Sequence, residues 1–289
     1  MDQAEKLRNV IKQNYQRNID NARVITITSG KGGVGKSNMA VNLAVKFRQM
    51  GKRVIIFDAD FGLANVEVMF GTVPKYNLSN MIYEGLPLTD IITKGPMDIG
   101  FISGGSGIVS LNNLKRDQID SLVRSLSTLN DMTDVLIIDT GAGISDQVLE
   151  FVMASPEVVL VSTPEPSSLT DSYSLMKALY KNPNFIKNGT NIHLVANKVS
   201  SKAEADAVYE KLNSVVQNFL GGKLEYLGMI PNDPILEKAV RSQKIVSLEY
   251  PASKASNAFK DIADSLMGGK SASYKWGITQ LFNHFSNRY

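Results

Sequence analysis

The chain has 289 residues, which is enough for one large α/β domain or for two small domains. Hydrophobic residues make up 43% and charged residues 20%, as in ordinary soluble globular proteins, and no run of about 18 apolar residues predicts a membrane-spanning helix. Cysteine is absent, which excludes disulfides, thiolate metal sites and iron–sulfur clusters. The net charge of +3 does not by itself indicate nucleic-acid binding, and the polar N-terminus is unlike a signal peptide, so we expect a cytoplasmic protein.

The first 20 residues are mostly polar, and their apolar positions have helical spacing. These positions are Leu7, Val10, Ile11 and Tyr15. The segment therefore resembles a short amphipathic helix. It precedes the first predicted strand, so we treat residues 1–20 as separate from the main domain.

A strand, a glycine-rich loop and a helix follow in the order that a phosphate-binding P-loop requires. Residues 23–29 are rich in β-branched residues and predict a buried strand. Residues 30–37 read Gly-Lys-Gly-Gly-Val-Gly-Lys-Ser and match the pattern Gly-x-x-x-x-Gly-Lys-Ser/Thr. Met39, Leu43 and Phe47 then recur at helical spacing, and Gly51 suits the end of a helix.

This loop is the predicted nucleotide site. Its backbone N–H groups and the start of the following helix would surround phosphates, while Lys36 would meet the β- and γ-phosphates and Ser37 would bind Mg²⁺. Lys31 is not needed for this cradle, so we expect it to act in trans, on another subunit. The predicted nucleotide-binding residues here are Gly30, Lys31, Gly32, Gly33, Val34, Gly35, Lys36, Ser37 and Asn38.

Strand-like and helix-like segments alternate from residue 23 onward. Near-continuous apolar strands separated by helices predict an α/β fold with one mostly parallel, doubly wound sheet of about seven or eight strands and helices on both faces. The predicted strands are 23–29, 53–58, 98–102, 134–139, 157–163, 191–196 and 225–230.

Three aspartates follow predicted strands, where ligands bind in such sheets. Asp58 and Asp60 end the second strand, and Asp139 ends the fourth. Carboxylates suit Mg²⁺, directly or through water, so we assign Asp58 and Asp139 to the metal together with Ser37. Asp60 is placed to orient or deprotonate the attacking water. Each aspartate alone is equally explained as a turn residue or helix cap.

Two later strand ends are candidates for the base pocket. Asn197 follows the sixth strand, and its amide offers a donor and an acceptor to a purine. The segment after Asn197 lacks the carboxylate that would read guanine, which favours adenine. Pro231, Asn232 and Asp233 end the seventh strand and would wall the pocket, although both segments also fit ordinary turns. His193 is expected to be a satisfied core residue rather than a metal ligand.

The C-terminal residues form a predicted hinge and tail. Residues 268–273 read Gly-Gly-Lys-Ser-Ala-Ser and separate the domain, 22–267, from residues 274–289. An amphipathic helix in this tail would bind a membrane surface, and it equally fits a helix docked on the protein's own core. The predicted membrane-facing residues are Tyr274, Ile278, Leu281, Phe282 and Phe285.

Three motifs carry a resemblance to a known family. Residues 31–37 are similar to the deviant Walker A motif of the MinD/ParA ATPases, residues 58–65 to the MinD switch I, and residues 139–143 to its switch II. The resemblance covers about residues 22–267. It departs at Thr140-Gly141, where MinD-like chains often have Ser/Thr-Pro. It implies ATP/ADP and Mg²⁺ as cofactors.

The same resemblance implies roles for individual residues. Lys31 would reach the phosphates of the partner subunit in an ATP-dependent homodimer, Asp60 would serve hydrolysis and Asn197 would contact adenine. The catalytic residues would then be Asp60, Lys31 and Lys36. ATP would favour a dimer at the inner face of the cell membrane, and hydrolysis would return a cytoplasmic monomer.

The N-terminal residues 2–8, Asp-Gln-Ala-Glu-Lys-Leu-Arg, resemble a motif of the FlhG group, also called YlxH or FleN, which regulates flagellar number. The resemblance implies that this segment activates an FlhF-type GTPase of the signal-recognition-particle class through Gln3, Leu7 and Arg8. Lipids of the cytoplasmic membrane and flagellar switch-complex proteins are further partners by analogy, and no specific nucleic acid is expected. The alternative is a ParA-type DNA-partition ATPase, and a metal-cluster ATPase of the same fold is disfavoured by the missing cysteines.

Overall fold

A computed structural model describes residues 22–61, 65–105, 116–183, 185, 189–268 and 278 of the chain. Eight strands form one sheet in the order β3-β4-β2-β5-β1-β6-β7-β8. Their bounds are Arg23–Thr28 (β1), Val54–Ala59 (β2), Thr93–Lys94 (β3), Gly100–Ser103 (β4), Val135–Thr140 (β5), Glu157–Ser162 (β6), Asn191–Val199 (β7) and Glu225–Pro231 (β8).

All neighbouring strands are parallel except β3, which pairs antiparallel with β4 at the sheet's edge. The predicted α/β fold and strand number are therefore confirmed. Strand β3 was not predicted, since two residues are too short to show a periodic pattern. Strand β7 continues three residues beyond the predicted range and ends at Val199.

Helices connect these strands. Within the described residues they are Lys36–Gln49 (α1), Asn65–Phe70 (α2), Leu78–Glu84 (α3), Leu88–Ile91 (α4), Arg116–Ser127 (α5), Leu129–Met132 (α6), Asp146–Ala154 (α7), Pro166–Tyr180 (α8), Lys202–Leu220 (α9), Pro234–Arg241 (α10), Val246–Glu249 (α11) and Lys254–Gly268 (α12), with a 3-10 turn at Pro96–Asp98. In the described part of the chain, no helix is long and apolar enough to cross a membrane.

Each face of the sheet is covered by its own hydrophobic cluster. Side chains alternate between the two faces of a strand, so Ile25 and Ile27 of β1 pack with α1 and α12, whereas Val24 packs on the opposite side. A third cluster joins the outer strands β6 and β7 to α8 and α9. Strands with both faces buried explain the nearly continuous apolar runs in the sequence.

The strand register places the predicted carboxylates at one edge of the sheet. Strand β5 lies between β1 and β2, and Asp139 stands directly beside Asp58 in the pairing of β5 with β2. The P-loop leaves β1 at the same edge, because β1 is parallel to β5. Four neighbouring strands, β2, β5, β1 and β6, thus deliver their following loops to one place.

An ionic cluster lies at the opposite edge, where β1, β6, β7 and β8 begin. Arg23 donates to Glu157 through Nε at 2.8 Å and Nη2 at 2.6 Å, and it also bonds the carbonyl of Leu266 near the end of α12. His193 lies between Glu157 and Glu225, with Nε2 and Nδ1 at 3.1 and 3.3 Å from their oxygens. His193 therefore has polar partners, as expected for a satisfied core residue.

Candidate functional site

The loop 30–37 turns sharply from β1 into α1. Gly33 and Gly35 have φ angles of +76° and +100°, in the left-handed region that favours glycine. Helix α1 begins at Lys36, so its unpaired N–H groups face the loop. This confirms the predicted strand, loop and helix, and it forms an anion-binding cradle at a helix N-terminus.

Two glycines let this loop pack tightly against its neighbours. A Cβ at Gly30 would overlap the backbone of Asp171 in α8, and a Cβ at Gly35 would overlap the amide nitrogen of Asn197. The loop is thus held between α8 and the end of β7. A larger residue at Gly30 would have to displace the backbone of α8, and one at Gly35 would have to displace the side chain of Asn197.

A cavity of about 400 Å³ opens above the loop. Its lining includes polar residues of the loop and the apolar residues Val68, Met69 and Val240. The structure brings these predicted site residues together in its lining: Gly32, Gly33, Gly35, Lys36, Ser37, Asn38 and Asp60. The lining, as far as the described residues define it, does not include Asn197, Pro231, Asn232 or Asp233.

Asp139 is the carboxylate best suited to a cation. It is fully buried, and neither of its oxygens has a hydrogen-bond partner of normal geometry among the described residues. Burial raises the pKa of Asp139 to about 6, and the nearby Ser37 and Lys36 side chains oppose this rise. An unsatisfied buried carboxylate beside a serine hydroxyl fits the oxygen ligands of Mg²⁺, which takes few protein ligands and keeps waters and phosphates.

Asp58 has a different environment. One oxygen accepts from the backbone N–H of Asp60 and the other from that of Val66, both at 3.2 Å. Burial, followed by the charge of Asp139, raises the pKa of Asp58 to about 8. Asp58 therefore fixes the two ends of the segment that carries Asp60, and its predicted contact with the metal stays a prediction.

Asp60 faces the cavity. Its Oδ2 accepts from the amide of Asn65 at 3.4 Å, and a Cβ at Gly141 would lie 3.7 Å from its Oδ1. The departure at Gly141 from the MinD-like pattern thus stands directly beside Asp60. Burial lowers the pKa of Lys36, and the charges of Asp139 and Asp60 oppose this fall, so the three groups are electrostatically coupled.

Lys31 points away from the cavity. Its Nζ lies 2.8 Å from Oε2 of Glu165 and 2.8 Å from Oγ of Ser167, at the start of α8. The hydrogen bond and charge of Lys31 lower the pKa of Glu165. Both side chains are partly exposed, with 36% and 58% of the side-chain surface accessible, so Lys31 is free to exchange this partner for another.

Asn197 and Lys198 support the loop from behind. The amide of Asn197 donates to the carbonyl of Val34 at 2.6 Å, and its own oxygen accepts from the N–H of Lys198. The ammonium of Lys198 donates to the carbonyl of Gly33 at 3.0 Å. These bonds shape the P-loop. The predicted contact of Asn197 with adenine is an additional role that the geometry leaves as a prediction.

The segment after β8 is held by hydrogen bonds of the Asp233 side chain and of the Asn232 backbone. Asp233 caps α10 by accepting from the N–H of Ile235 and also accepts from the N–H of Ala255, both at 2.9 Å. Asn232 donates its N–H to the carbonyl of Val199 at 2.8 Å. The predicted wall of the base pocket is therefore a rigid turn next to the end of β7.

Sequence reasoning missed Glu165, Ser167 and Lys198. Glu165 and Ser167 follow β6 in the run Thr-Pro-Glu-Pro-Ser, and Lys198 lies next to Asn197. The rule that selected the aspartates, polar residues just after a parallel strand, would also have selected Glu165. No local signal would have paired it with Lys31, which is 134 residues away.

Most of the terminal predictions lie outside the described residues. These include Gln3, Leu7, Arg8, Tyr274, Leu281, Phe282 and Phe285. Gly268, the first residue of the predicted hinge, is the last residue of α12. Ile278 is described, and it is fully buried in the hydrophobic cluster that also contains Ala22 and Leu136. At Ile278, this burial agrees with the docked alternative.

The fold and this loop define a P-loop nucleoside triphosphatase. The family model described as "ParA: NUBPL iron-transfer P-loop NTPase" matches residues 20–267. The antiactivator FleN of Pseudomonas aeruginosa is 41% identical over 244 residues, covering 84% of this chain and 86% of FleN. The flagellum site-determining protein YlxH of Helicobacter pylori is 36% identical, covering 92% and 90%.

Among solved structures, MinD of Pyrococcus horikoshii complexed with Mg-ADP has a TM-score of 0.67 at 23% identity, covering 86% of this chain and 98% of that one. The likeness shows a shared fold. The chain belongs to the ParA family of P-loop NTPases, in the group of FleN and YlxH. This membership confirms the predicted ATPase, and the Mg-ADP bound to that MinD agrees with the predicted cofactors, ATP or ADP and Mg²⁺.

Proposed function

We propose that this ATPase is a MinD-like switch that regulates the number or placement of flagella. Its relative YlxH, a flagellum site-determining protein, supports the flagellar role. The observation that carries the switch is the position of Lys31, which contacts Glu165 and Ser167 rather than its own phosphate cavity. A cation on the rim of a phosphate site is available to the phosphates of a second subunit.

The same contact supports ATP-dependent dimerisation. In the monomer, Lys31 is paired with Glu165, and this exposed pair is weak in water. The phosphates of a facing subunit carry more negative charge than one carboxylate, so they would draw Lys31 across the interface. ATP offers one more phosphate than ADP, which makes the dimer sensitive to hydrolysis.

Residues of the site divide the chemistry of hydrolysis among them. The loop N–H groups and Lys36 bind the phosphates, while Ser37 and Asp139 would hold Mg²⁺, which neutralises charge on the phosphates when bound. Asp60 lines the same cavity and orients the attacking water. Asn65 restrains the Asp60 carboxylate, and closure of a second subunit over the cavity would exclude bulk water.

The two ends of the chain connect this cycle to partners. We infer that Ile278 leaves the core when the dimer forms and that the tail then binds lipids of the cytoplasmic membrane. Two weakly binding tails on one dimer bind much more strongly than one. The N-terminal residues Gln3, Leu7 and Arg8 would activate an FlhF-type GTPase, and flagellar switch-complex proteins are further candidate partners. Hydrolysis then resets the protein to a cytoplasmic monomer.

The direct test measures mass in solution with ATP, ADP and no nucleotide. The Asp60→Ala variant should bind ATP without turnover and accumulate as a dimer, and Lys31→Ala should stay monomeric with ATP. Lys177→Ala, an exposed lysine on α8, is the matched control and should dimerise normally. A Lys31→Ala protein that dimerises normally with ATP contradicts the in-trans role.

A second test separates the membrane switch from the DNA-partition alternative. Full-length protein with ATP is mixed with anionic vesicles or with plasmid DNA. Co-sedimentation with vesicles that is lost on deleting residues 271–289 supports the proposal. Salt-dependent binding to DNA without vesicle binding would support the partition ATPase instead. We do not propose an iron-transfer function, because the sequence contains no cysteine to bind an iron–sulfur cluster.

A further inference from the structure

The side chain of Gln147 joins α7, the helix that follows the Asp139 strand, to the strand end that carries Asp58 and Asp60. Gln147 is the second residue of α7 and is half-buried. Its Nε2 donates to the carbonyl oxygen of Ala59 at 3.0 Å, across 88 residues of sequence. This bond is independent of the P-loop and was not predicted from the sequence.

The loop before α7 is itself attached to the phosphate site. The N–H of Gly143 donates to the carbonyl of Ser29 at 3.0 Å, just before the P-loop, and Ala142 lines the cavity. Ser145 caps α7 by accepting from the N–H of Val148. A short path therefore runs from the phosphate cavity through the loop 140–145 to Gln147.

The far end of the bond restrains Asp60. The carbonyl of Ala59 and the N–H of Asp60 belong to one planar peptide group. Gln147 holds the carbonyl side of that plane, and Asp58 holds the N–H side at 3.2 Å. With the plane held on both sides, the peptide group that leads into Asp60 has little freedom to rotate.

We propose that Gln147 is a positioning residue for ATP hydrolysis, which couples the loop 140–145 to the backbone of Asp60. The inference rests on the proposed role of Asp60 in the attack of water. It does not require Gln147 to touch the nucleotide, since Gln147 is not part of the cavity lining in the described structure. It predicts that the bond affects turnover and leaves nucleotide binding unchanged.

The test compares three variants in steady-state ATPase assays. Gln147→Met keeps the length of the side chain and removes the donor, so kcat should fall about three- to tenfold, the value of one ordinary hydrogen bond. KM for ATP and ATP-dependent dimerisation should not change. Gln147→Lys retains an N–H donor and should recover most of the turnover. Gln217→Met, on the exposed side of α9, is the matched control and should behave like the unmodified protein.

A measurement other than activity tests the same bond. Hydrogen exchange of the Asp60 amide in the nucleotide-bound protein should be faster in Gln147→Met and normal in Gln217→Met. An unchanged kcat in Gln147→Met, a raised KM with unchanged kcat, or an equal loss in Gln147→Lys overturns the positioning role. The Asp60→Ala variant distinguishes failure of the Gln147 proposal from failure of the proposed role of Asp60. If Asp60→Ala hydrolyses ATP at the normal rate, both roles are contradicted. If Asp60→Ala loses turnover while Gln147→Met keeps it, only the role of Gln147 is contradicted.

Discussion

Replacing Asn197 by alanine distinguishes a P-loop support from an adenine contact. In the structure, its amide donates to the carbonyl of Val34 at 2.6 Å, and Asn197 is only 6% exposed. Alanine leaves this carbonyl without its partner, which costs about 1–3 kcal/mol when the group is buried. If this free energy destabilises only the loop conformation that binds nucleotide, nucleotide affinity drops about 5- to 150-fold.

The assay is calorimetric titration with Mg-ATP, Mg-GTP and inorganic tripolyphosphate. If Asn197 supports the loop, Asn197→Ala should weaken the binding of all three ligands by a similar factor, because each needs the same phosphate cradle. Asn257→Ala, which removes a long and exposed 3.5 Å bond, serves as the control and should leave all three affinities unchanged. If Asn197→Ala weakens ATP but leaves tripolyphosphate binding intact, the reasoning is refuted and Asn197 is a base contact.

Three further predictions concern the surroundings of the site. Gly30→Ala should abolish ATP binding while circular dichroism stays normal, because its Cβ would overlap the backbone of α8. Glu157→Ala should lower the free energy of unfolding in urea by about 3–5 kcal/mol, because it leaves Arg23 buried without its carboxylate. Burial alone would raise the pKa of Glu157, but its hydrogen bonds hold it below the ordinary 4.5, so this stability is present above pH 4.5 and is lost as the pH falls further. Glu165→Gln should release Lys31 from its ion pair and strengthen ATP-dependent dimerisation, more at low salt than at high salt. Sedimentation measures this effect. A weaker dimer would mean that Glu165 itself bridges the subunits.

Local patterns were sufficient to predict the sheet and the P-loop. The loop 30–37 combines fixed spacing with a strand before it and a helix after it, and each of these depends on neighbouring residues only. The parallel strands could also be predicted from the sequence. Strand β5 and its neighbours are buried on both faces, so their sequences are continuous apolar runs. Ligands bind at the carboxyl ends of the strands in such sheets. This rule predicted that Asp58, Asp60 and Asp139 lie at one edge, where they lie in the structure.

Contacts between distant segments could not be predicted in the same way. Lys31 meets Glu165 only because β1 pairs with β6, and the loop that follows each strand sits above that pair. Asn197 reaches Val34 although β7 is not adjacent to β1, since the left-handed Gly35 brings the loop toward it. Such pairings depend on strand order, which the periodicity of single segments does not contain.

Asp58 and Asp139 show how identical strand-end residues acquire different roles. Each is the second-last residue of a central strand, and the register sets them side by side. The chain after Asp58 turns back so that the N–H groups of Asp60 and Val66 point at its oxygens. Asp139 receives no such backbone bond within the described residues, and the nearby side chains of Ser37 and Lys36 offset only part of the cost of burying its charge. Asp58 is thereby bonded to the segment that carries Asp60, while Asp139 lies beside Ser37 with its oxygens free of such backbone bonds, as the proposed Mg²⁺ site requires. The direction of the following backbone, rather than the residue type, decides between the two environments.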